Sequence, residues 1–245
     1  MYQVDTYFDF RLDAHGKDPD THSPALRSCH KLLWSKPLPG GKLFELVERG
    51  AYLYYKSEVK EFCLSSDAVI PTFRWNDKIQ NIIAEIPDEF DRFSAIGYTI
   101  GGMMVFPALK VGRKWTINQA RGCHPRIKDR FDLTVECIRR YYLPLPDQKR
   151  SPLLEVLARY DDFFNLFKDF RGYVKFFLLQ DIVNDECTEV QFFAPFDDFK
   201  TSPLPQSKEA YERYMKKAIE FIEARNKRIR EYRDWCKQSE ISGRN

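Results

Sequence analysis

The sequence contains no long hydrophobic run and no signal-peptide pattern. A membrane-spanning helix needs about 20 predominantly apolar residues, and no stretch of the chain approaches that length. The N-terminus, MYQVDTYFDFRLD, carries acidic residues where a signal peptide has a basic segment followed by an apolar one. These absences argue against secretion and predict no membrane partner.

Cysteine is present, but never at the spacing of a zinc finger or a C-x-x-C redox pair. The six cysteines stand singly, at Cys29, Cys63, Cys123, Cys137, Cys187 and Cys236. Single cysteines without a paired spacing indicate that the thiols stay reduced. Reduced thiols are typical of cytoplasmic proteins, in which disulfides are rare. We therefore expect a cytoplasmic protein.

Motifs with a known catalytic mechanism are also missing. The Gly-Gly pairs at residues 40 and 101 lack the other positions of a Walker or dinucleotide-binding loop. The LSSD segment, residues 64–67, has no G-x-S-x-G frame around its serines. Acidic residues alternate with His15, His22 and His30 near the N-terminus, but the spacing matches neither an EF-hand nor H-E-x-x-H. Turn chemistry explains this alternation better, so no metal site is predicted and the cofactor stays unknown.

Apolar and aromatic residues are abundant enough for a large core. The chain has 245 residues, of which 43% are hydrophobic and 15% aromatic, and this composition excludes a disordered chain. Its 39 basic and 36 acidic residues leave a net charge of +3, so the chain as a whole is not a polybasic nucleic-acid coat. We predict a single domain over residues 1–245, with an irregular N-terminal arm at 1–41.

The apolar spacing predicts an α+β fold. Residues 43–73 favour a β-hairpin or meander, and residues 98–122 favour two strands joined near Gly112. The segments YVKFFLLQDIV and EVQFFAPF, between residues 173 and 196, are expected to add strands, although the first could equally extend a helix. The sheet should be mixed or mainly antiparallel. Helices that cover it, including a long amphipathic C-terminal one, are predicted at 77–85, 126–142, 152–170 and 207–236.

The segment TINQARGCHPRIKDRFDLTVECIRRYY, residues 116–142, is the predicted site. A turn that leads into a helix would direct backbone N–H groups at an anion, and arginine side chains bind phosphate or carboxylate with two hydrogen bonds. The predicted ligand-binding residues are Asn118, Arg121, Arg126 and Arg130. The alternative is an ordinary charged helix face with structural ion pairs.

The predicted catalytic residues are His30, Asp132 and Glu136. His30 adjoins an apolar patch and a Pro-Gly turn, where partial burial would bring its titration near neutrality. Glu136 or His30 would act as acid or base, and Asp132 would orient the reacting groups. A lone histidine is, however, more often structural.

Four segments resemble a widespread bacterial protein family of unknown function. They are GKDPDTHSP at 16–24, HKLLWSKPLP at 30–39, RFDLTVECIRRYY at 130–142 and GYVKFFLLQD at 172–181. The resemblance extends over nearly the whole chain and implies a bacterial, cytoplasmic source. It implies no activity, fold or residue role.

Three functions are compatible with these observations. The first is an enzyme acting on a phosphate-bearing ligand, a nucleotide or nucleic acid. The alternative is a non-catalytic module that binds nucleic acid or protein through the basic surface and the C-terminal helix, which could also form a homodimer. A further alternative is an ADP-ribosyltransferase-like enzyme, with His30, a serine of LSSD and Glu136 around a nicotinamide nucleotide. The biological context expected for such a protein is phage defence or a toxin-like system.

Overall fold

The computed structural model describes residues 4–70, 76–144 and 151–242, with side chains described through Arg233 except that of Lys78. One antiparallel sheet has its strands in sequence order: β1 Leu46–Arg49, β2 Tyr52–Lys56, β3 Glu61–Ala68 and β4 Met103–Pro107. The predicted α+β class and antiparallel sheet are confirmed.

Helices make up most of the remaining regular structure. The α-helices are α1 Pro19–His22, α2 Pro24–Trp34, α3 Asp77–Ala84, α4 Pro87–Gly97, α5 Ile117–Cys123, α6 Phe131–Tyr142, α7 Leu154–Ala158, α8 Asp161–Phe164, α9 Phe170–Phe176 and α10 Lys208–Ser242. Short 3₁₀ turns occupy Ile100–Gly102, Asn165–Phe167 and Gln180–Ile182.

The meander forms because its turns and its apolar positions agree. Gly50 adopts φ 61° between β1 and β2, which is the left-handed geometry that a tight hairpin turn favours. Leu53 on β2 pairs with Leu64 on β3, and both side chains are buried. The third strand, β3, pairs with β2 through residues 61–64 and with β4 through residues 64–68, so its polar end at residues 65–67 is held by β4.

Aromatic rings fill the core between the sheet and α9. Phe167 contacts Tyr173, Phe176 and Phe177 with ring centroids 5.0 to 5.4 Å apart. Trp34 of α2 joins this cluster through Phe177, at 5.4 Å. Such tilted and edge-on contacts add to the stabilisation that comes from removing the rings from water.

The segment 173–196 differs from its predicted strands. Asp169 accepts a hydrogen bond from the Gly172 N–H at 2.7 Å and so caps α9, and the apolar run therefore begins as a helix. After the helix, the only β contact in the described part of this segment is a single bridge between Val183 and Val190. The expectation that these residues add strands was wrong, and the alternative, that the first segment extends a helix, is confirmed by α9. The apolar residues of this run are too closely spaced for periodicity to distinguish a strand from a buried helix.

The second strand predicted near Gly112 is also absent from the described residues. Gly112 and Arg113 both adopt φ 61°, and the chain then turns into α5. Thr116 and Gln119 form a reciprocal capping box at the start of this helix. The T-x-x-Q pattern was visible in the sequence and outweighs the strand propensity of the flanking residues.

Helix boundaries shift where the backbone enters the left-handed region. Lys128 and Asp129 have φ of 46° and 64°, so the helix predicted at 126–142 begins at Phe131. The helix predicted at 152–170 is divided into α7, α8 and a 3₁₀ turn, and Lys168 at φ 69° ends the series. The helix predicted at 77–85 is present as α3, with Asn76 as its cap.

Residues 1–41 are not irregular throughout. Asp18 and Ser23 cap α1 and α2, and each cap is followed by a proline at the first helical position. Leu33 and Trp34 on α2 are buried in the core. The frequent prolines, which suggested an arm without regular structure, therefore begin two helices.

The long C-terminal helix is confirmed as α10, and one apolar stripe packs it against α4 and the 3₁₀ turns Ile100–Gly102 and Gln180–Ile182. Its buried apolar residues are Tyr211, Tyr214, Met215, Ala218, Phe221, Ile222 and Ile229. The side chains of Trp235 and Cys236, which were expected to prolong this stripe, lie outside the described residues. A homodimer through this helix stays a prediction.

Arg225 attaches α10 to the rest of the domain although its side chain is fully buried. Its guanidinium donates to the carbonyl oxygens of Gly101 and Met103, each at 2.9 Å, and of Phe177 at 3.0 Å. The next residue, Asn226, accepts from the Gly101 N–H at 2.8 Å. Gly101 is required here, because a Cβ at this position would lie 2.6 Å from the Ile222 carbonyl oxygen.

We expect Arg225→Met to lower the free energy of unfolding by about 3 kcal/mol, because it leaves buried carbonyl oxygens without donors. Urea denaturation followed by circular dichroism would measure the loss. The exposed Lys227→Met on the same helix is the matched control and should stay within about 0.5 kcal/mol of the parent protein. A similarly small effect of Arg225→Met would contradict this role.

Candidate functional site

The geometry of the site begins with α1, which lies against β3. Asp18 caps α1 by accepting from the Asp20 N–H at 3.2 Å, and Pro19 fixes the first helical position. This places Asp20 beside Ser66 and Asp67 near the end of β3. We call the group formed by Asp20, Ser66, Asp67, Asn118 and Arg121 the α1–β3–α5 junction.

Arg121 is the fixed centre of the junction, with no exposed side-chain surface. Its Nη1 lies 2.5 Å from Asp67 Oδ2 and 2.9 Å from Asp129 Oδ1. Its Nε donates to Thr134 Oγ1 at 3.2 Å, and its Nη2 donates to the Asp129 carbonyl oxygen at 3.0 Å. One side chain therefore connects β3, α5, α6 and the loop at 124–130.

Two carboxyl groups of the junction retain protons to unusually high pH. The pKa of Asp20 is raised to about 8, chiefly by burial and then by the charges of Asp67 and Asp18, while Ser66 and Arg121 partly oppose the rise. Burial also raises the pKa of Asp67 to about 7, against the opposing charge of Arg121. Because the two carboxyls interact, their protons are released as those of a pair. Near neutral pH the pair holds a proton that ordinary aspartates would have lost.

His30 positions the hydroxyl group of Ser66. The Trp34 Nε1–H donates to His30 Nδ1 at 2.9 Å, so the other ring nitrogen, Nε2, carries the proton and donates to Ser66 Oγ at 2.9 Å. Burial, with the charge of Arg225, lowers the pKa of His30 to about 3. The imidazole is therefore neutral in the folded protein, and its titration lies far below the near-neutral range expected from the sequence.

Asn118 contributes an unpaired acceptor to the same place. Its Nδ2 donates to Ser65 Oγ at 3.2 Å and to the Ser66 carbonyl oxygen at 3.3 Å. Its Oδ1 is buried and has no hydrogen-bond partner among the described residues, as is also true of Asp20 Oδ1. A buried polar atom without a partner costs about 1–3 kcal/mol, and such atoms mark places where water or a ligand binds.

The other predicted ligand-binding residues lie outside the junction. Arg130 is 2% exposed and forms an ion pair with the fully buried Asp132. Asp132 Oδ2 also accepts from the Phe193 N–H at 3.0 Å. Arg126 is exposed on the loop at 124–130. Arg121 and Arg130 are thus both buried beside acidic partners, but they contact different ones.

Glu136 belongs to a third group of charges. Its carboxylate accepts from Arg139 Nε at 2.7 Å and from Arg140 Nε at 2.6 Å. Arg140 continues to Asp198 at 2.7 Å. His30 and a serine of LSSD do meet, as the ADP-ribosyltransferase hypothesis requires, but no contact of the described residues joins Glu136 to them.

The sequence places a serine of LSSD beside His30 only in the ADP-ribosyltransferase hypothesis, and it does not bring Asp20, Ser66 and Asp67 together as one site. Both segments were noticed, GKDPDTHSP as turn chemistry and LSSD as a strand end, but they are separated by about forty residues and only the fold brings them together. Within the described residues, no group of three or more histidine, cysteine or acidic side chains is arranged to hold a metal ion.

Comparison with known proteins places the chain in a family. A family of unknown function, DUF6994, matches residues 4–229, and the chain belongs to this family. The whole-chain resemblance to an uncharacterised family is thereby confirmed, and the match includes every residue of the junction. No curated protein and no solved structure matches the chain. Among the described residues, no helix combines the length and the apolar character needed to cross a membrane.

We expect the contribution of the Asp20 carboxyl to stability to fall as the pH rises from about 4 to about 8. The pKa of Asp20 is near 3.8 when unperturbed and about 8 in the folded protein, so in this window only the folded state holds the proton. The contribution is fully present below the unfolded pKa and is lost as the pH rises through the folded pKa. Asp20→Asn should therefore flatten the dependence of the unfolding free energy on pH.

Urea denaturation at several pH values would measure this slope for both proteins. The exposed Asp185→Asn is a control that should retain the parent slope. If Asp20→Asn also retains it, the Asp20 carboxyl does not hold a proton at neutral pH.

Proposed function

We propose that the protein is an enzyme that performs acid–base chemistry at the α1–β3–α5 junction on a phosphate-bearing ligand, a nucleotide or nucleic acid. The observation that carries the proposal is the pairing of the Asp20 and Asp67 carboxyls beside the buried Arg121. Such a pair supplies one protonated and one ionised carboxyl near neutral pH, which is the arrangement that general acid and base catalysis needs.

The two carboxyls have different surroundings and therefore different roles. Asp67 is held by Arg121 at 2.5 Å, which favours its ionised form. Asp20 has an oxygen without a partner, so it is the group able to exchange a proton with a ligand. We assign Asp20 as the general acid or base and Asp67 as the charge that keeps Asp20 protonated.

Ser66 and Asn118 would contact the ligand. The Ser66 hydroxyl accepts from His30 Nε2, so its own hydrogen points to another acceptor, either the Asp20 carboxyl or a ligand that replaces it. The unpaired Asn118 Oδ1 can accept from a hydroxyl or amino group. Both atoms belong to groups that the sheet and α5 hold in place, which favours a preorganised site.

The phosphate would bind at the loop 124–130 rather than on Arg121. The donors of Arg121 are occupied by Asp67, Asp129, Thr134 and backbone carbonyl groups, so it is a positioning residue. The loop that Arg121 holds through Asp129 carries the exposed Arg126. An arginine fork on such a loop suits a phosphate group. Arg130, Asp132 and Glu136 form ion pairs outside the junction, so this proposal gives them no contact with the ligand.

The experiment is a turnover screen against nucleoside phosphates, cyclic nucleotides and short oligonucleotides, with products identified by mass spectrometry. We expect Asp20→Asn to lower the turnover of the substrate found by about 10²- to 10⁴-fold, because a positioned acid or base contributes a factor of this size. Asp185→Asn should react like the parent protein. Undiminished turnover by a folded Asp20→Asn protein would refute the proposal, as would the absence of any reaction with phosphate esters.

A second candidate function, nucleic-acid binding without catalysis, is favoured by the loop at 108–115. Its apolar side chains Leu109 and Trp115 are 58% and 55% exposed. Between them lie the exposed bases Lys110, Arg113 and Lys114, none of which forms an ion pair with a described residue. An exposed aromatic ring among cations is typical of surfaces that stack unpaired bases and contact phosphates.

This loop is held at both ends, so its side chains are presented in a fixed place. The Tyr160 hydroxyl donates to the Leu109 carbonyl oxygen at 2.9 Å, and Arg159 Nη2 donates to the Trp115 carbonyl oxygen at 2.8 Å. The side chain of Trp115 is free of these bonds and faces solvent.

We expect Trp115→Ala to weaken binding to a labelled single-stranded oligonucleotide by about tenfold, since stacking of one base contributes roughly 1–3 kcal/mol. Fluorescence anisotropy would measure the affinity. Trp115→Phe should retain most of it, and Leu43→Ala, at another exposed apolar position, should have no effect. If the parent protein does not bind the oligonucleotide at low salt, this candidate function is excluded.

A further inference from the structure

A cavity of about 690 Å³ lies between the chain segments 192–195 and 202–206 and the beginning of α10. Its volume falls within the range of about 300–1,000 Å³ that is usual for small-molecule sites. The walls are largely apolar and include Phe192, Phe193, Pro195, Leu204 and Pro205. None of the residues that line it belongs to the α1–β3–α5 junction.

Arg130 forms part of the floor of this cavity. Beyond its ion pair with Asp132, Arg130 donates to the carbonyl oxygens of Pro203 and Ala194, each at 3.4 Å. Both distances are at the long end for such bonds, so these contacts are weak. Its guanidinium can therefore redirect an N–H group toward an anion in the cavity without losing a strong partner.

The cavity also has exposed cations along one side. Arg213, Lys216 and Lys217 are exposed on α10 and line the cavity. Lys217 pairs with Glu220 at 2.9 Å, whereas Arg213 and Lys216 form no ion pair with any described residue. Two positive side chains on one turn of a helix, neither of them in an ion pair with a described residue, suit the two negative charges of a phosphate monoester.

One aromatic side chain of the cavity wall belongs to a stacked pair of rings. Phe192 is half-buried and stacks on Phe196, with ring centroids 4.2 Å apart and ring planes inclined by 19°. Phe192 lines the cavity while Phe196 does not, so the stack presents one ring to a ligand. A flat ring placed against Phe192 would extend this stack.

We propose that this cavity binds a phosphate monoester with a flat aromatic body, such as a nucleoside monophosphate. The aromatic body lies against Phe192 among the proline and leucine side chains, and the phosphate lies between Arg213 and Lys216. This is a second site, distinct from the acid–base junction of the proposed function, and it suits a regulatory ligand or a remote part of a substrate.

Isothermal titration calorimetry with adenosine monophosphate (AMP) as the probe tests this proposal. Adenosine and inorganic phosphate each carry half of the recognised chemistry, and both should bind at least about tenfold more weakly than AMP. The double variant Arg213→Glu/Lys216→Glu should weaken AMP binding by about tenfold or more, since it reverses two charges beside the phosphate. The matched control Lys227→Glu, at an exposed position two turns or more along the same helix, should leave it unchanged.

A second variant separates the aromatic preference from general apolar binding. Phe192→Leu keeps an apolar wall but removes the ring, so it should weaken AMP binding and leave dodecyl phosphate binding unchanged. Tighter binding of dodecyl phosphate than of AMP by the parent protein would overturn the aromatic assignment in favour of an acyl-chain ligand. An absence of AMP binding by the folded parent protein would overturn the site.

The two sites can be tested independently. Asp20→Asn removes the proton donor of the junction but touches no residue of this cavity, so it should bind AMP as the parent protein does. Loss of AMP binding in Asp20→Asn would assign the binding to the junction and overturn the second site. Loss of turnover with retained AMP binding supports both.

Discussion

The fold depends on buried arginine side chains whose guanidinium groups donate hydrogen bonds to carboxylate and carbonyl oxygens. Arg121, Arg130 and Arg225 are among the largest fully buried side chains of the described residues. A buried guanidinium is costly unless its donors are satisfied, so each one requires a specific arrangement of carboxylates or carbonyl groups. These requirements fix how α5, α6 and α10 sit on the sheet, where an apolar interface alone would tolerate several arrangements.

The three arginines bond to different kinds of acceptor, and this difference bears on function. Arg225 uses only backbone carbonyl oxygens, and burial lowers its pKa to about 10. Arg130 is neutralised by one carboxylate, Asp132. Arg121 meets both Asp67 and Asp129, with Asp20 close by, so the junction has more carboxyl groups than cations. This excess of acid is what keeps a proton in the junction at neutral pH.

The sequence predicted the fold where the local signals agreed with each other. The meander, α3 and α10 have apolar periodicity, caps and turns that indicate the same element. The strand prediction failed at 173–183, where eight of the eleven residues are apolar or aromatic, and the helix start was misplaced at 126–130, where the backbone of Lys128 and Asp129 is left-handed. Tertiary contacts determine both places: ring packing holds α9, and Arg121 holds the loop through Asp129.

The site could be predicted only in part, because tertiary contacts and not local signals bring several of its residues together. Asn118 lies within the Thr116–Gln119 capping box and Arg121 follows it, and both were predicted as site residues from the local charge and the expected turn. Asp20 gave no such signal, because an aspartate after a proline is ordinary turn chemistry until β3 is placed against it. Its importance comes from long-range pairing, which a single sequence does not reveal.

The contacts that stabilise the fold account for most residues of the junction, but they do not account for Asp20. Arg121 is fully satisfied by Asp67, Asp129, Thr134 and backbone oxygens without it. Asp20 adds a further buried carboxyl whose Oδ1 has no partner among the described residues. Its ionisation in the folded state is unfavourable, so above the unfolded pKa it lowers stability. A group that reduces stability while its neighbours are already satisfied is better explained by what it does to a ligand than by what it does for the fold.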